Sequence, residues 1–386
     1  MKKELMLYIH IPFCVKKCAY CDFLSGPAKD EEIIEYVNAL CMEIESYQEM
    51  SKEYLVDSIF FGGGTPSILE ETQITQIITS IRNVFEIKQE AEITIECNPG
   101  TVTKQKLSTY KSLGINRLSF GLQSTDNEEL KKLGRIHTYE EFLNNFHLAR
   151  ELGFNNINVD IMSALPGQTL ESYCKTLNEI IQINPEHISA YSLILEEDTP
   201  FYKMYGEDGK YKDLIPSEEV DRLMYHETKR LLKAAGYERY EISNYAKEGY
   251  ACRHNVGYWK RREYLGIGLG ASSLINGERY HIDNELTNYL EGCRNPLGLR
   301  KDIQRLTKKE EIEEFMFLGL RLVEGIKKSE FNNIFHEKIE DIYQNEISKL
   351  SDENLIEVDK EKIYLTELGF DLSNQVFTEF LLDEDE

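Results

Sequence analysis

The sequence predicts an α/β protein: a parallel sheet curled into a partial (β/α)6 barrel, followed by a smaller α+β domain. Three observations carry this. Short apolar runs alternate with helical patterns from residue 5 to residue 194. The connections between runs are long enough for right-handed parallel crossovers. The ends of the runs carry cysteines, glycines and polar residues, and working groups in barrels sit at the C-terminal ends of the strands.

Taken in order, residues 5–11 form an apolar strand that runs into a cysteine-rich loop. Residues 31–50 carry Ile34, Val37, Leu40, Cys41 and Ile44 on one helical face. Strand 57–61 leads directly into Gly62-Gly63-Gly64-Thr65-Pro66, and helix 70–85 follows. Residues 91–96 alternate as a half-buried strand, and 103–113 form a helix closed by Gly114. Strand 115–120 reaches Gly121-Leu-Gln123, helical segments run to Leu152, and strand 155–161 contains Asp160. Helix 170–181 and strand 187–194 complete six repeats.

Beyond residue 195 the pattern changes. Residues 196–216 are polar and read as a long loop at the barrel mouth. Helix 217–235 starts on Ser-Glu-Glu and stops at Gly236. Residues 240–245 precede Cys252-Arg-His254-Asn255-Val-Gly-Tyr258-Trp259, which holds the single tryptophan. Gly266-Ile-Gly-Leu-Gly270 lacks the third spacing and the βαβ context of a dinucleotide loop, so it reads as close backbone packing at a cavity. Residues 295–307 mark a boundary, giving a barrel with its site extension over 1–300 and a helical, winged-helix-like domain over 301–386. That module carries a helix at 310–322 and a small β-wing at 355–364.

Composition narrows the function. The net charge of −24 leaves no basic field for nucleic acid, and the acidic end 382–386 argues the same for the winged module. The apolar run 5–13 is too short to span a bilayer and has no cleavage pattern, so the expected location is the cytoplasm. Eight cysteines in a reducing compartment point to clusters or metal sites rather than disulfides. Cys41, Cys97, Cys174, Cys252 and Cys293 are scattered and read mostly as small core residues.

Cys14, Cys18 and Cys21 are different, with three thiols within eight residues. Structural zinc takes four ligands, commonly in two separated pairs, and no partner pair follows here. Thiolates are the usual ligands of iron–sulfur clusters, and three of them leave one iron of a [4Fe–4S] cubane open. Cys-x3-Cys-x2-Cys with Tyr20 before the last cysteine resembles the radical S-adenosylmethionine (SAM) superfamily. Gly62-Gly-Gly-Thr-Pro66 is similar to the group of anaerobic coproporphyrinogen III dehydrogenases and related heme chaperones of the HemW type.

The resemblance implies that the open iron binds SAM and that one electron from the cluster cleaves it. It implies SAM contacts from Tyr8, Gly63, Gly64 and Thr65 near the cluster. Glu96, Gln123, Arg135 and Asp160 would meet the methionine and ribose ends, and Ile194 the adenine. For Arg135 a surface cation is the alternative, and for Glu96 and Asp160 a solvated or capping carboxylate. His10 is out of phase with the apolar residues of its strand and is expected to face the barrel interior as a hydrogen-bonded histidine.

An imidazole among flat apolar neighbours is a natural heme site. On residues alone, a packed aromatic loop is the simpler reading of 252–259. His254-Asn255-x-x-Tyr258-Trp259 matches the heme-binding motif of the chaperones. Two functions therefore compete. One is a heme chaperone serving an acceptor protein, membrane-associated or soluble, with an electron donor such as flavodoxin or ferredoxin. The other is an oxygen-independent coproporphyrinogen III dehydrogenase, converting two propionates to vinyls. Phe23 stands where the dehydrogenases carry a further cysteine, and they lack His-Asn-x-x-Tyr-Trp, so the resemblance favours the chaperone.

Overall fold

The computed structural model describes residues 2–382. Six strands form the parallel core of the barrel: β1 (Lys3–Ile11), β2 (Tyr54–Gly63), β3 (Ile87–Cys97), β4 (Arg117–Gln123), β5 (Ile157–Ser163) and β6 (His187–Ser192). They pair in sequence order, as consecutive right-handed crossovers require. The crossovers run through α1 (Asp30–Ser46), α2 (Glu71–Val84), α3 (Lys104–Ser112), α4 (Asn127–Leu133), α5 (Tyr139–Glu151) and α6 (Leu170–Ile183).

The sheet extends at both sides. Beyond β6 lie β7 (Glu238–Arg239) and β8 (Asn244–Ala246), with β8 antiparallel to β6. On the other side β9 (Tyr264–Ile267) runs parallel to β1. It continues into the antiparallel strands β10 (Ser272–Ile275), β11 (Glu278–Ile282) and β12 (Arg300–Arg305). The result is one twelve-stranded sheet in the order β12-β11-β10-β9-β1-β2-β3-β4-β5-β6-β8-β7. It runs to Arg305, through the segment expected to be a boundary.

Strand alternation sorts the residues onto two faces. Leu7, Ile9, Ile59, Phe61, Ile93, Ile95, Leu118, Phe120, Val159 and Ile188 join the core under the helices. The opposite face is polar yet buried: Ser58, Glu92, Thr94, Arg117, Ser119, Asn158 and Ser189 are all shielded from solvent. In β3 the polar half of the alternation therefore faces the barrel lumen, not water. Burying such groups is tolerable only when they are bonded. Asn158 Nδ2 donates to Ser119 Oγ and Asp160 Oδ1, both at 2.7 Å, and Ser189 Oγ donates to Asn158 Oδ1 at 3.1 Å. His187 bridges Asn158 Oδ1 (2.6 Å) and Tyr240 OH (2.9 Å).

Residues 196–216 contain more structure than a polar loop. Helix α7 (Pro200–Tyr205) starts on a Thr199 cap with proline at its first turn. Phe201 is buried against Leu133, Met162 and Leu165, with Tyr20 packed beside them. Its N–H donates to Ala19 O at 3.0 Å, so this segment braces the cysteine loop. The polar composition hid one buried aromatic anchor, Phe201, and the half-buried Tyr205 beside it. Helix α8 (Glu218–Ala234) follows, capped by Ser217.

A short helix, α9 (Arg253–Trp259), closes the N-terminal end of the barrel. Beyond β12, α10 (Lys308–Gly319) opens a second apolar core that includes Ile312, Met316, Phe331, Ile339, Tyr343 and Ile363. Its three-stranded antiparallel sheet joins Ile326–Lys327, Lys362–Leu365 and Ile356–Val358 in that order, forming the expected wing. The acidic terminus 383–386 lies outside the described residues.

Candidate functional site

The loop after β1 has to turn back on itself, and main-chain bonds hold it in addition to the one from Phe201. Cys14 N–H donates to Gly26 O (2.9 Å), Gly26 N–H to Pro12 O (3.0 Å), and Ala19 N–H to Leu133 O (3.0 Å). Cys14, Cys18 and Cys21 then line one cavity of about 440 Å3 at the C-terminal ends of the strands. Thr65 Oγ1 donates to Cys14 Sγ and Arg135 Nη1 to Cys18 Sγ, each at 3.5 Å. Glycine at 64 is obligatory, because a Cβ there would lie 2.7 Å from Phe13 O and 2.9 Å from Cys14 Sγ. All eight cysteines are free.

The same cavity collects most of the residues expected from the sequence: Gly63, Gly64, Thr65, Glu96, Gln123, Arg135 and Asp160. Gly63 has φ +112°, and its N–H donates to Glu96 Oε2 at 3.2 Å. Burial and then the nearby Asp160 carboxylate push Glu96 up to about 8. Arg135 is no surface cation. Its Nη2 donates to Asn98 Oδ1 at 2.9 Å and to Gly121 O, at the wall of the cavity. Gln123 holds a left-handed φ of 79°, a conformation non-glycine residues keep only where the surroundings enforce it. Its buried Oε1, like Arg135 Nε, has no partner among the described residues. Unpaired buried polar atoms lining a cavity suit a polar ligand. The donor set, three thiols beside carboxylates, an arginine and an amide, fits a thiolate-held cluster with SAM against it.

Two expected residues lie elsewhere. Tyr8 lines an adjoining cavity of about 400 Å3, together with His10, Phe23, Leu24, Tyr258, Tyr264 and residues 270–272. The two cavities share Phe23, Gly63 and Glu96. Ile194 is 69% exposed and lines neither. Sequence reasoning missed Tyr20, Asn98, Ser119, Gly121 and Tyr191 in the first cavity. Asn98 was findable, since it follows Glu96 at a strand end; it holds both Arg135 and His137 Nδ1 (3.2 Å). His10 faces inward as expected, with Nδ1 bonded to Tyr8 OH (3.1 Å) and Nε2 to Leu24 O (3.0 Å).

The 254–259 residues splay in different directions. His254 is 1% exposed, with Nδ1 on Ser58 Oγ (2.9 Å) and Nε2 on Tyr258 OH (3.0 Å). Both ring nitrogens are occupied, so in this arrangement it has no free site for iron. Tyr258 faces the second cavity. Asn255 is half-buried. Trp259 turns toward the C-terminal module, its ring under the Arg321 guanidinium at 4.4 Å. Glu92 fixes the start of α9, accepting from Arg253 N and His254 N, both at 3.1 Å.

Comparison with known proteins agrees with this architecture. The radical SAM superfamily profile matches residues 8–180, and that of the HemN C-terminal domain matches residues 306–372. The heme chaperone HemW of Lactococcus lactis is 35% identical over 384 residues, covering 100% of this chain and 99% of its own. That of Bacillus subtilis is 36% identical, covering 97% and 98%, and that of Escherichia coli 37%, covering 85% of each chain. The solved structure of coproporphyrinogen III oxidase (HemN) from Escherichia coli superposes with a TM-score of 0.86 at 24% identity. It covers 98% of this chain and 90% of that one, which establishes a shared fold. On these grounds the chain belongs to the HemW family of heme chaperones within the radical SAM superfamily.

Proposed function

We propose that this protein is a heme chaperone that binds heme and passes it to an acceptor protein, using a [4Fe–4S] cluster and SAM. The observation that carries the proposal is the full-length similarity to HemW chaperones, on a chain whose three cluster thiols line a cavity with fitting polar groups. Cys14, Cys18 and Cys21 hold the cluster. Gly63, Gly64, Thr65, Glu96, Gln123, Arg135 and Asp160 bind SAM, with Tyr8 across the adjoining wall and Ile194, exposed just beyond β6, for the adenine. The 254–259 segment, with His254, Asn255, Tyr258 and Trp259, serves heme.

The bound cluster and SAM supply one-electron chemistry; the protein's own residues bind and orient. The Glu96 and Asp160 carboxyl groups form a wall that suits an ammonium or hydroxyl group, and the Gly63 amide, bonded to Glu96, holds that acid in place. Arg135, held by Asn98 and Gly121 O, directs its remaining donors at a carboxylate and at the Cys18 sulfur. Burial strengthens each of these contacts. The acceptor, a reducing partner such as flavodoxin or ferredoxin, a membrane-associated acceptor and a cytoplasmic setting belong to the same proposal. Among the described residues no helix is long and apolar enough to cross a membrane.

The test is a parallel assay of the anaerobically reconstituted chain. Heme should bind with a Soret band, coproporphyrinogen III should be left unchanged, and SAM cleavage should vanish when Cys14, Cys18 or Cys21 becomes Ala. Vinyl formation from coproporphyrinogen III would replace the chaperone reading with the dehydrogenase one.

A further inference from the structure

By residue type, His254 is the natural iron ligand of the His-Asn-x-x-Tyr-Trp segment, yet it is the member with the least access to a ligand. Its ring is wedged between Phe60 (centroids 5.3 Å) and Tyr258 (4.9 Å, nearly perpendicular). Ser58 Oγ and Tyr258 OH occupy its two nitrogens at 2.9 and 3.0 Å. Its backbone is pinned by the Glu92 carboxylate. Burial, with Arg117 and Arg262 nearby, lowers its pKa to about 3, so the imidazole is neutral and can accept from the phenol. Neither cavity is lined by it.

Tyr258 has the opposite placement. It lines the second cavity beside Tyr264, whose ring lies 4.8 Å away and perpendicular. Tyr8, also in this wall, stacks on Phe60 at 6.3 Å and 23°. Phe23 and Leu24 add apolar surface. A cavity of about 400 Å3 whose lining includes Tyr8, Phe23, Tyr258 and Tyr264 offers aromatic surface suited to a flat macrocycle.

We propose that the tetrapyrrole seats in this second cavity against the Tyr258 ring, and that His254 is a positioning residue holding Tyr258 from behind rather than an iron ligand. The proposal rests on the heme-chaperone reading and says which residue of the segment meets the cargo. An iron ligand matters only to a porphyrin that contains iron. A positioning residue matters to any porphyrin, and that difference is measurable.

The experiment titrates the cluster-loaded full chain with ferric heme and, separately, with iron-free protoporphyrin IX. Tyr258→Ala should weaken both probes about tenfold, the scale of one lost aromatic contact. His254→Ala should weaken both by one common factor and leave the Soret maximum of bound heme in place. His254→Gln, which keeps an acceptor for the phenol, should recover most of the loss. If Tyr258→Ala fails to fold, Tyr264→Ala in the same wall should weaken both probes alike. The proposal is overturned if His254→Ala weakens heme alone and shifts its Soret band, which puts His254 on the iron. It is equally overturned if removing the wall tyrosines leaves both probes bound as tightly as before. A wild-type chain that binds neither probe would remove the chaperone reading itself.

Discussion

Replacing Glu92 by Ala should loosen the floor of the barrel. The Glu92 carboxylate is 4% exposed and accepts from the Arg253 and His254 amides at 3.1 Å each and from Cys252 Sγ at 3.5 Å. It also faces the buried Arg117, whose charge is opposed by burial but favoured by Cys252 and Glu92 beside it, with a net upward shift. The substitution removes the acceptor of two buried amides and takes away a carboxylate near the Arg117 guanidinium. Leaving two buried amides without their charged acceptor costs about 3 kcal/mol. Urea unfolding should show a loss of this size. Hydrogen exchange at the Arg253 and His254 amides should quicken at least about a hundredfold. A variant within about 1 kcal/mol of wild type, with unchanged protection in α9, would refute the claim that β3 holds this helix.

The chain should also lose stability as pH rises through the range set by Glu43. This carboxyl is fully buried and accepts from Tyr289 OH (2.7 Å), Gly268 N (2.9 Å) and Tyr47 OH (3.2 Å), while burial raises it from 4.5 to about 7. Between those values the unfolded carboxyl is ionised while the folded one keeps its proton, so stability falls as pH rises and levels off above about 7, by about 3 kcal/mol in total. Glu43→Gln should flatten that slope in denaturation at several pH values; an unchanged slope would refute the assignment. Gly64→Ala should displace Cys14, because the new methyl meets main-chain atoms that cannot yield. Iron content per chain should fall well below that of wild type while the far-ultraviolet spectrum is retained, and full iron loading would refute the tight fit.

The parallel core was legible because periodicity survives wherever one strand face packs under helices. The apolar alternation of β3 and the glycine stop of α3 both read correctly. Strand ends marked by Glu96, Gln123 and Asp160 do meet in one cavity with the three cysteines. The lumen itself was not legible: Glu92, Thr94 and Arg117 look solvated in one dimension, and only curvature turns their face inward. The α7 segment was hidden for the converse reason, since Phe201 and Tyr205 are diluted by charged neighbours. In α9 the residue types were recognised, but not their directions. A seven-residue helix has no periodicity long enough to say which side chain points at a cavity.

Phe23, Gly63 and Glu96 line both cavities, and the last two are joined by an amide–carboxylate bond of 3.2 Å. A molecule arriving on either side competes for that carboxylate's charge and proton. Two ligands that both contacted it would be thermodynamically linked, each changing the other's affinity by the same factor.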